Sequence, residues 1–319
     1  MAKFLLILLK IKNRPEFGSF IGFLTFFVIF SILGRKFFTL SNLSVIFTVA
    51  AELGIICTGV GFLMMSGEFD LSVGSLYAFS GIFFMELAGI LPSACAFLLI
   101  LAFANFIGFV NGMITTKQRI PSFITTLSMM MMLRGIIYMV TGGRITAYKG
   151  DPLIPSLFGL KFSGALSYFR PSHFWYLAFI IFFTILLFRT PYGNHTLSTG
   201  GNLETTRMLG VNTDRVKTVS FMICSTMAAL SGIIAVTRFQ MASPTLGIGT
   251  ELEAIAAVVI GGTSLFGGSG TIIGSLFGVL LISMVRNGLL LLGAPPYWYT
   301  GFVGVILLIA TLINVKMRS

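Results

Sequence analysis

Apolar runs long enough to cross a bilayer recur from one end of this chain to the other. A backbone in hydrocarbon must satisfy its polar groups internally, and a spanning helix does so with about 20 apolar residues. Ten such runs fit, near 18–34, 41–64, 71–90, 92–115, 121–141, 173–189, 217–240, 251–269, 271–292 and 297–315. Only 10% of the 319 residues are charged, against about 25% in a soluble domain. The expected fold is therefore all-α, a polytopic membrane helical bundle of about ten transmembrane helices. It forms a single transmembrane domain over 1–319, with membrane lipid as its surroundings. A β-barrel would read as alternating segments of ~10 residues instead.

The net charge of +11 does not point to nucleic acid. Lys and Arg fall mainly in loops and at chain ends, the pattern of a cytoplasmic retention signal. The basic start (Lys3, Lys10, Lys12, Arg14) is followed by an apolar run with no small-residue cleavage site between Leu24 and Leu33. It reads as a retained first helix with a cytoplasmic N-terminus. Ten crossings then put the C-terminus on the same side. In that topology inside segments hold twelve of the 21 Lys and Arg, and outside segments hold six. The longest outside segment, 142–172, contains Pro152, Pro155 and Pro171 and suits an external loop. Cys57, Cys95 and Cys224 lie in apolar runs and read as packed free thiols. His173 and His195 lack ligand spacing.

No G-x-x-x-x-G-K-[ST], H-E-x-x-H, C-x-x-C or G-x-S-x-G with triad partners is present. The chain is expected to bind no cofactor or metal and to be no enzyme. Gly268-Ser-Gly-Thr-Ile-Ile-Gly274 is one residue too long for a dinucleotide loop.

Gly61, Gly67, Gly74, Ser75 and Leu76 recur 200 residues on as Gly261, Gly267, Gly274, Ser275 and Leu276. Both copies enter from the outside in the expected topology, so a duplication would be parallel; chance in Gly-rich sequence is the other reading. Gly270, Gly274 and Gly278 share a helix face, as do Gly108 and Gly112, and allow close packing. The tract Gly261–Gly270, with Gly262, Thr263, Ser264, Gly267 and Gly268, cannot continue a stable helix. It is a packing turn or a mobile element beside a pathway. Among acids near the bilayer, Glu86 reads as interfacial and Glu52 as intramembrane. Glu68 and Asp70 flank the break Ser66-Gly67, where Asp70 caps the next helix with Ser72 in its first turn, or meets substrate. Glu251 and Glu253 suit the first turn of their span.

The polar stretch 198–214 (STGGNLETTRMLGVNTD) stands apart. Asn202 is an N-cap, Glu204 lies in the first turn, Arg207 comes later, and Gly210 ends the helix in the left-handed region. Leu203, Met208 and Leu209 give it apolar surface without making it a span. It is a solvated connector or a docking helix for a cytoplasmic partner.

Three tracts together carry a family resemblance: Gly67-Glu-Phe-Asp-Leu-Ser-Val-Gly-Ser75, Gly200-Gly-Asn-Leu-Glu-Thr-Thr-Arg-Met-Leu-Gly210, and Glu251–Gly270 (ELEAIAAVVIGGTSLFGGSG). Pro121–Gly135 fits as well. The chain resembles bacterial ABC-transporter permeases of the monosaccharide, ribose-type branch over nearly its whole length. The family pattern has a small and then an apolar residue before Asp-Leu-Ser-Val-Gly-Ser; Glu68 and Phe69 occupy those places, so an extra acid stands where the small residue is usual. The resemblance implies a type II importer-like permease in the bacterial inner (plasma) membrane. Gly200, Gly201, Asn202, Leu203, Glu204, Arg207, Met208, Leu209 and Gly210 would dock on cytoplasmic ATP-binding subunits. Partners would be those subunits, an extracytoplasmic solute-binding protein and a second permease subunit, in a homodimer or paired heterodimer. Glu68, Asp70, Ser72, Gly261, Gly262, Thr263, Ser264, Gly267 and Gly268 would belong to the pathway or its gate. The rival reading is an ion-coupled secondary transporter, which would draw on the intramembrane acids.

Overall fold

The computed structural model describes residues 16–34 and 36–316. The basic N-terminal segment with Lys3, Lys10, Lys12 and Arg14 lies outside them. Helices run α1 (Glu16–Leu33), α2 (Leu40–Met65), α3 (Val73–Ala88), α4 (Ser93–Lys117), α5 (Ser122–Thr141), α6 (Leu153–Phe158), α7 (Pro171–Arg189), α8 (Pro191–Gly201), α9 (Leu203–Met208), α10 (Thr213–Phe239), α11 (Thr250–Ile260), α12 (Ile272–Leu291) and α13 (Pro296–Lys316). Among the described residues, seven helices are long and apolar enough to cross a membrane: α1, α2, α4, α5, α7, α10 and α12. The runs expected near 71–90, 251–269 and 297–315 coincide with α3, α11 and α13, whose apolar stretches are shorter.

The bundle is organised around α2 and α10, which neighbours wrap on most sides, whereas α1, α4, α5 and α7 turn most of their surface outward. Glycines set the closest approaches. A Cβ on Gly108 or Gly112 of α4 would lie 2.7 Å from the Cα of Met222 or Thr218 on α10. One on Gly232 of α10 would lie 2.0 Å from the Tyr77 carbonyl on α3. Only glycine permits backbones to come this close. Gly274 and Gly278 of α12 pack in the same way on Gly261 and Ala257 at α11. Gly270 does not share their helix face. Thr271 Oγ1 accepts the Gly274 N–H at 2.9 Å, so the helix starts only at Ile272. Cys57 and Cys224 are buried, but Cys95 is exposed on an outward helix face.

The 251–269 run is not one spanning helix. Gln240 ends α10 with φ 56°. The two-residue strands β1 (Thr146–Ala147) and β2 (Met241–Ala242) pair antiparallel, Thr146 with Ala242, and tie this point to the 142–172 loop. The chain then enters the bundle through Pro244, Gly247 (φ 75°) and Gly249 (φ 82°) before α11 begins. Eleven residues of α-helix span only about 16 Å, half the hydrocarbon thickness. The start of α11 lies deep: the Glu251 carboxylate sits against Gly74, and Cys57 of α2 donates to the Ala254 carbonyl at 3.6 Å. At the far end Gly261 and Gly262 stop the helix.

Candidate functional site

The segment 190–214 folds from local signals. Thr190 and Pro191 start α8, with Thr190 Oγ1 accepting from Gly193 N. Asn202 is extended, and its Oδ1 accepts the Thr205 N–H at 2.9 Å, capping α9. Glu204 stands in the first turn and Gly210 (φ 84°) turns the chain away. Asn212 caps α10 through Arg215 N at 3.0 Å. Arg207 braces the turn: its Nη2 lies 2.5 Å from Asp214 Oδ1, and its Nε donates to Thr213 Oγ1 at 2.7 Å. Met208 and Leu209 point outward, 85% and 78% exposed. Beside them a cleft of about 560 Å³ is lined by Tyr192, His195, Leu209, Gly210 and Arg215.

Beneath this loop the glycine tracts converge. Gly268 N donates to the Met65 carbonyl at 3.0 Å. A Cβ on Gly200 would lie 2.0 Å from that carbonyl and 2.6 Å from Gly268 N. A Cβ on Gly267 would lie 2.8 Å from the Gly67 Cα. Gly67 (φ 88°), Gly267 (φ 81°) and Gly268 (φ 78°) hold the left-handed backbone that makes these turns. The sequence-equivalent glycines 67 and 267 thus meet, with the end of α8 wedged against both loops.

The Glu68–Ser72 loop is held from α5 and α10. Ser122 Oγ and Thr126 Oγ1 accept from Phe69 N and Leu71 N at 3.4 and 3.0 Å. Asp70 does not cap α3, which starts at Val73 with Ser72 at its N-cap position and no side-chain cap bond; it braces the turn before the helix, its Oδ1 accepting the Ser72 N–H and O–H at 2.7 and 2.5 Å. Ser72 Oγ in turn accepts from Asn111 Nδ2 at 3.2 Å. Burial raises the Asp70 carboxyl to about 6, opposed by the Ser72 hydrogen bonds. Glu68 meets Lys217 of α10 at 2.6 Å, with both side chains about 15% exposed. Thr263 and Ser264 are buried in the second glycine loop, where Ser264 N donates to the Ser269 carbonyl.

Two further ion pairs lie within the bundle. Arg238 grips Glu52 with a fork, Nε–Oε1 2.6 Å and Nη2–Oε2 2.9 Å. Arg286 faces Glu253 at 3.7 Å. Nothing in the local sequence singles out Lys217, Ser122 or Thr126. Arg238 does carry a signal, because an acid and a base inside apolar runs each demand a partner.

A helical bundle with spans long and apolar enough to cross a membrane, carrying a capped, outward-facing helix on a packed glycine joint, fits a membrane permease. The family model described as "Branched-chain amino acid transport system / permease component" matches residues 42–311, and the chain belongs to this family. It is similar to the ribose import permease protein RbsC of Escherichia coli (strain K12), 37% identical over 95% of this chain and 94% of the relative. RbsC of Bacillus subtilis (strain 168) is 35% identical over 95% and 94%. The autoinducer 2 import system permease protein LsrC of Photorhabdus luminescens is 31% identical over 97% and 92%. No solved structure matches.

Proposed function

We propose that this chain is the membrane-pathway subunit of an ATP-driven importer for a monosaccharide or related neutral polar solute, working by alternating access in the bacterial inner membrane. Import permeases for ribose and autoinducer 2 match it over almost their full length. The observation that carries the mechanism is the seat of α9. Its exposed Met208 and Leu209 offer a grip, and its root, Gly200, lies within van der Waals distance of both glycine loops. ATP-binding subunits on the cytoplasmic side grip Leu203–Leu209. The joint of Gly67, Gly200, Gly267 and Gly268 passes that movement to α2–α3 and α11–α12. Glu68, Asp70, Ser72 and Gly261–Gly268 form the cytoplasmic gate rather than a deep substrate site. The 142–172 loop faces outward, toward a solute-binding protein, and a second permease subunit completes the pathway.

The ion-coupled reading needs acids free to hold a cation. Glu52, Glu68 and Glu253 each face a basic side chain instead. The experiment is co-purification with the cognate ATP-binding subunit, followed by uptake in liposomes. Glu204→Lys and Arg207→Glu should each lower subunit recovery or coupled uptake at least fivefold. Normal transport and ATPase stimulation in both variants would refute the docking assignment. Uptake driven by an ion gradient without any ATPase would establish the rival.

A further inference from the structure

The half-length of α11 has a chemical result. Its N-terminus opens inside the bundle on a cavity of about 60 Å³ whose walls include Glu52, Tyr77, Glu253, Ser283, Arg286 and Tyr299. We propose that this cavity is a transit site for a neutral polyhydroxylated solute, at which the solute's hydroxyls replace bound water. The inference rests on the importer reading above.

Four observations carry it. First, the cavity is polar where hydrocarbon surrounds the bundle, and polar groups at membrane depth persist where they line water or a pathway. Second, its charges cancel in pairs: Glu52 with Arg238 at 2.6 Å and Glu253 with Arg286 at 3.7 Å. Self-neutralised pairs offer hydrogen-bond donors and acceptors without a net field, which suits a neutral polyol and disfavours a lone cation or anion. Third, Ser283 is 1% exposed and its hydroxyl has no hydrogen-bond partner. Buried polar atoms left open in this way call for a water or a ligand group. Fourth, Tyr77 and Tyr299 are nearly buried there, and the Arg286 guanidinium lies 5.2 Å from the Tyr299 ring centroid. Rings of this kind take the apolar face of a sugar while the polar atoms take its edge. The volume of about 60 Å³ holds about two waters at ~30 Å³ each, room for a hydroxyl-bearing edge of the solute and not for the whole ring.

The test uses the complete importer, permease with ATP-binding subunit and solute-binding protein, in liposomes. The panel is labelled D-ribose, D-xylose, D-galactose and myo-inositol. Glu253→Gln and Tyr299→Phe should each cut ATP-driven uptake at least fivefold while the ATP-binding subunit still co-purifies. In a background with Cys57, Cys95 and Cys224 replaced by Ala, Ser283→Cys should react with 2-aminoethyl methanethiosulfonate. The transported sugar should slow that reaction at least threefold. Sugar-independent labelling, or unchanged uptake in both other variants, overturns the site and leaves the importer reading intact. Failure of that reading looks different: the wild-type complex then takes up none of the panel in response to ATP.

Discussion

At the foot of α8, chain segments meet backbone to backbone; around the start of α11, charged side chains pair across the bundle. A methyl group on Gly200, Gly267 or Gly268 would meet neighbouring backbone within 3 Å, and Gly67 is restricted by its φ of 88°. Around the α11 N-terminus, where Gly74 and Gly247 also touch, Glu52 pairs with Arg238 and Glu253 with Arg286. Both places are breaks in otherwise apolar helices, and both need glycine at positive φ, Gly67 and Gly268 in one, Gly247 and Gly249 in the other. The difference lies in what fills the break. A break filled by neighbouring backbone excludes solute and transmits position, as a joint or gate does. A break filled by paired charges keeps polar space open, as a waypoint does.

The sharpest way to break the comparison is to add a side chain at the joint. A methyl group at Gly200 would lie 2.0 Å from the Met65 carbonyl, with fixed backbone on both sides. Gly200→Ala should cost about 2–3 kcal/mol or more by overpacking, and abolish coupled uptake. Its neighbour is the control: a Cβ on Gly201 would lie 3.7 Å from the Gly268 Cα, ordinary contact. Gly201→Ala should shift the thermal midpoint of the detergent-purified permease little. Equal effects of the two substitutions would mean that the joint is not packed as described.

The next effect concerns the strut that ties the joint to α10. Glu68→Gln removes the charge facing Lys217, which is mostly buried. The cost should be about 1–3 kcal/mol, since an unpaired buried charge remains. Glu68→Leu combined with Lys217→Leu should recover most of it, because neither charge is then left alone. A double variant no better than Glu68→Gln would show that the pair does not act as a unit.

These residues also mark how much of the fold and the site the amino-acid sequence alone discloses. The capped helix at 202–208 is a local signal, and the chain obeys it because its neighbours there are solvent rather than protein. The apolar runs disclose the helices for the same kind of reason. The break at Gly261–Gly270 is legible from glycine alone. The depth of α11 is not: 251–269 has the composition of a span, and only the upstream Pro244, Gly247 and Gly249 mark an irregular entry. Nor is the partner of Glu68, which lies 149 residues away on another helix. Glu52 and Arg238, 186 residues apart, are joined by the packing of α2 on α10, and packing of that range leaves no local trace. Gly270 carries the right four-residue spacing, but the Thr271 cap starts the helix after it.

At the waypoint, stability and function should separate. Ser283→Ala removes a buried hydroxyl with no partner, so unfolding stability should change by less than about 0.5 kcal/mol. Uptake should nevertheless fall measurably, because one hydrogen bond to the solute is lost. A clear drop in thermal midpoint would recast Ser283 as a packing residue.

The smallest effect belongs to the opposite end, where a polar contact lies on the surface. Asp151 accepts the Ser93 N–H at 2.7 Å and its O–H at 2.6 Å, capping α4 from the 142–172 loop. These bonds, the Ser93 hydroxyl first, hold its carboxyl below the usual value of 3.8. A depressed carboxyl stabilises the fold above its unfolded value and loses that contribution as pH falls through the folded one. Wild type should therefore lose slightly more of its thermal midpoint than Asp151→Asn between pH 6 and pH 3. The gap should be narrow, because the group is fully exposed and water competes for both bonds. If the variant instead lost as much as wild type over that range, the Ser93 contact would contribute nothing, and α4 would be held at this end by its packing on neighbouring helices, including the Phe97–Phe158 stack on α6.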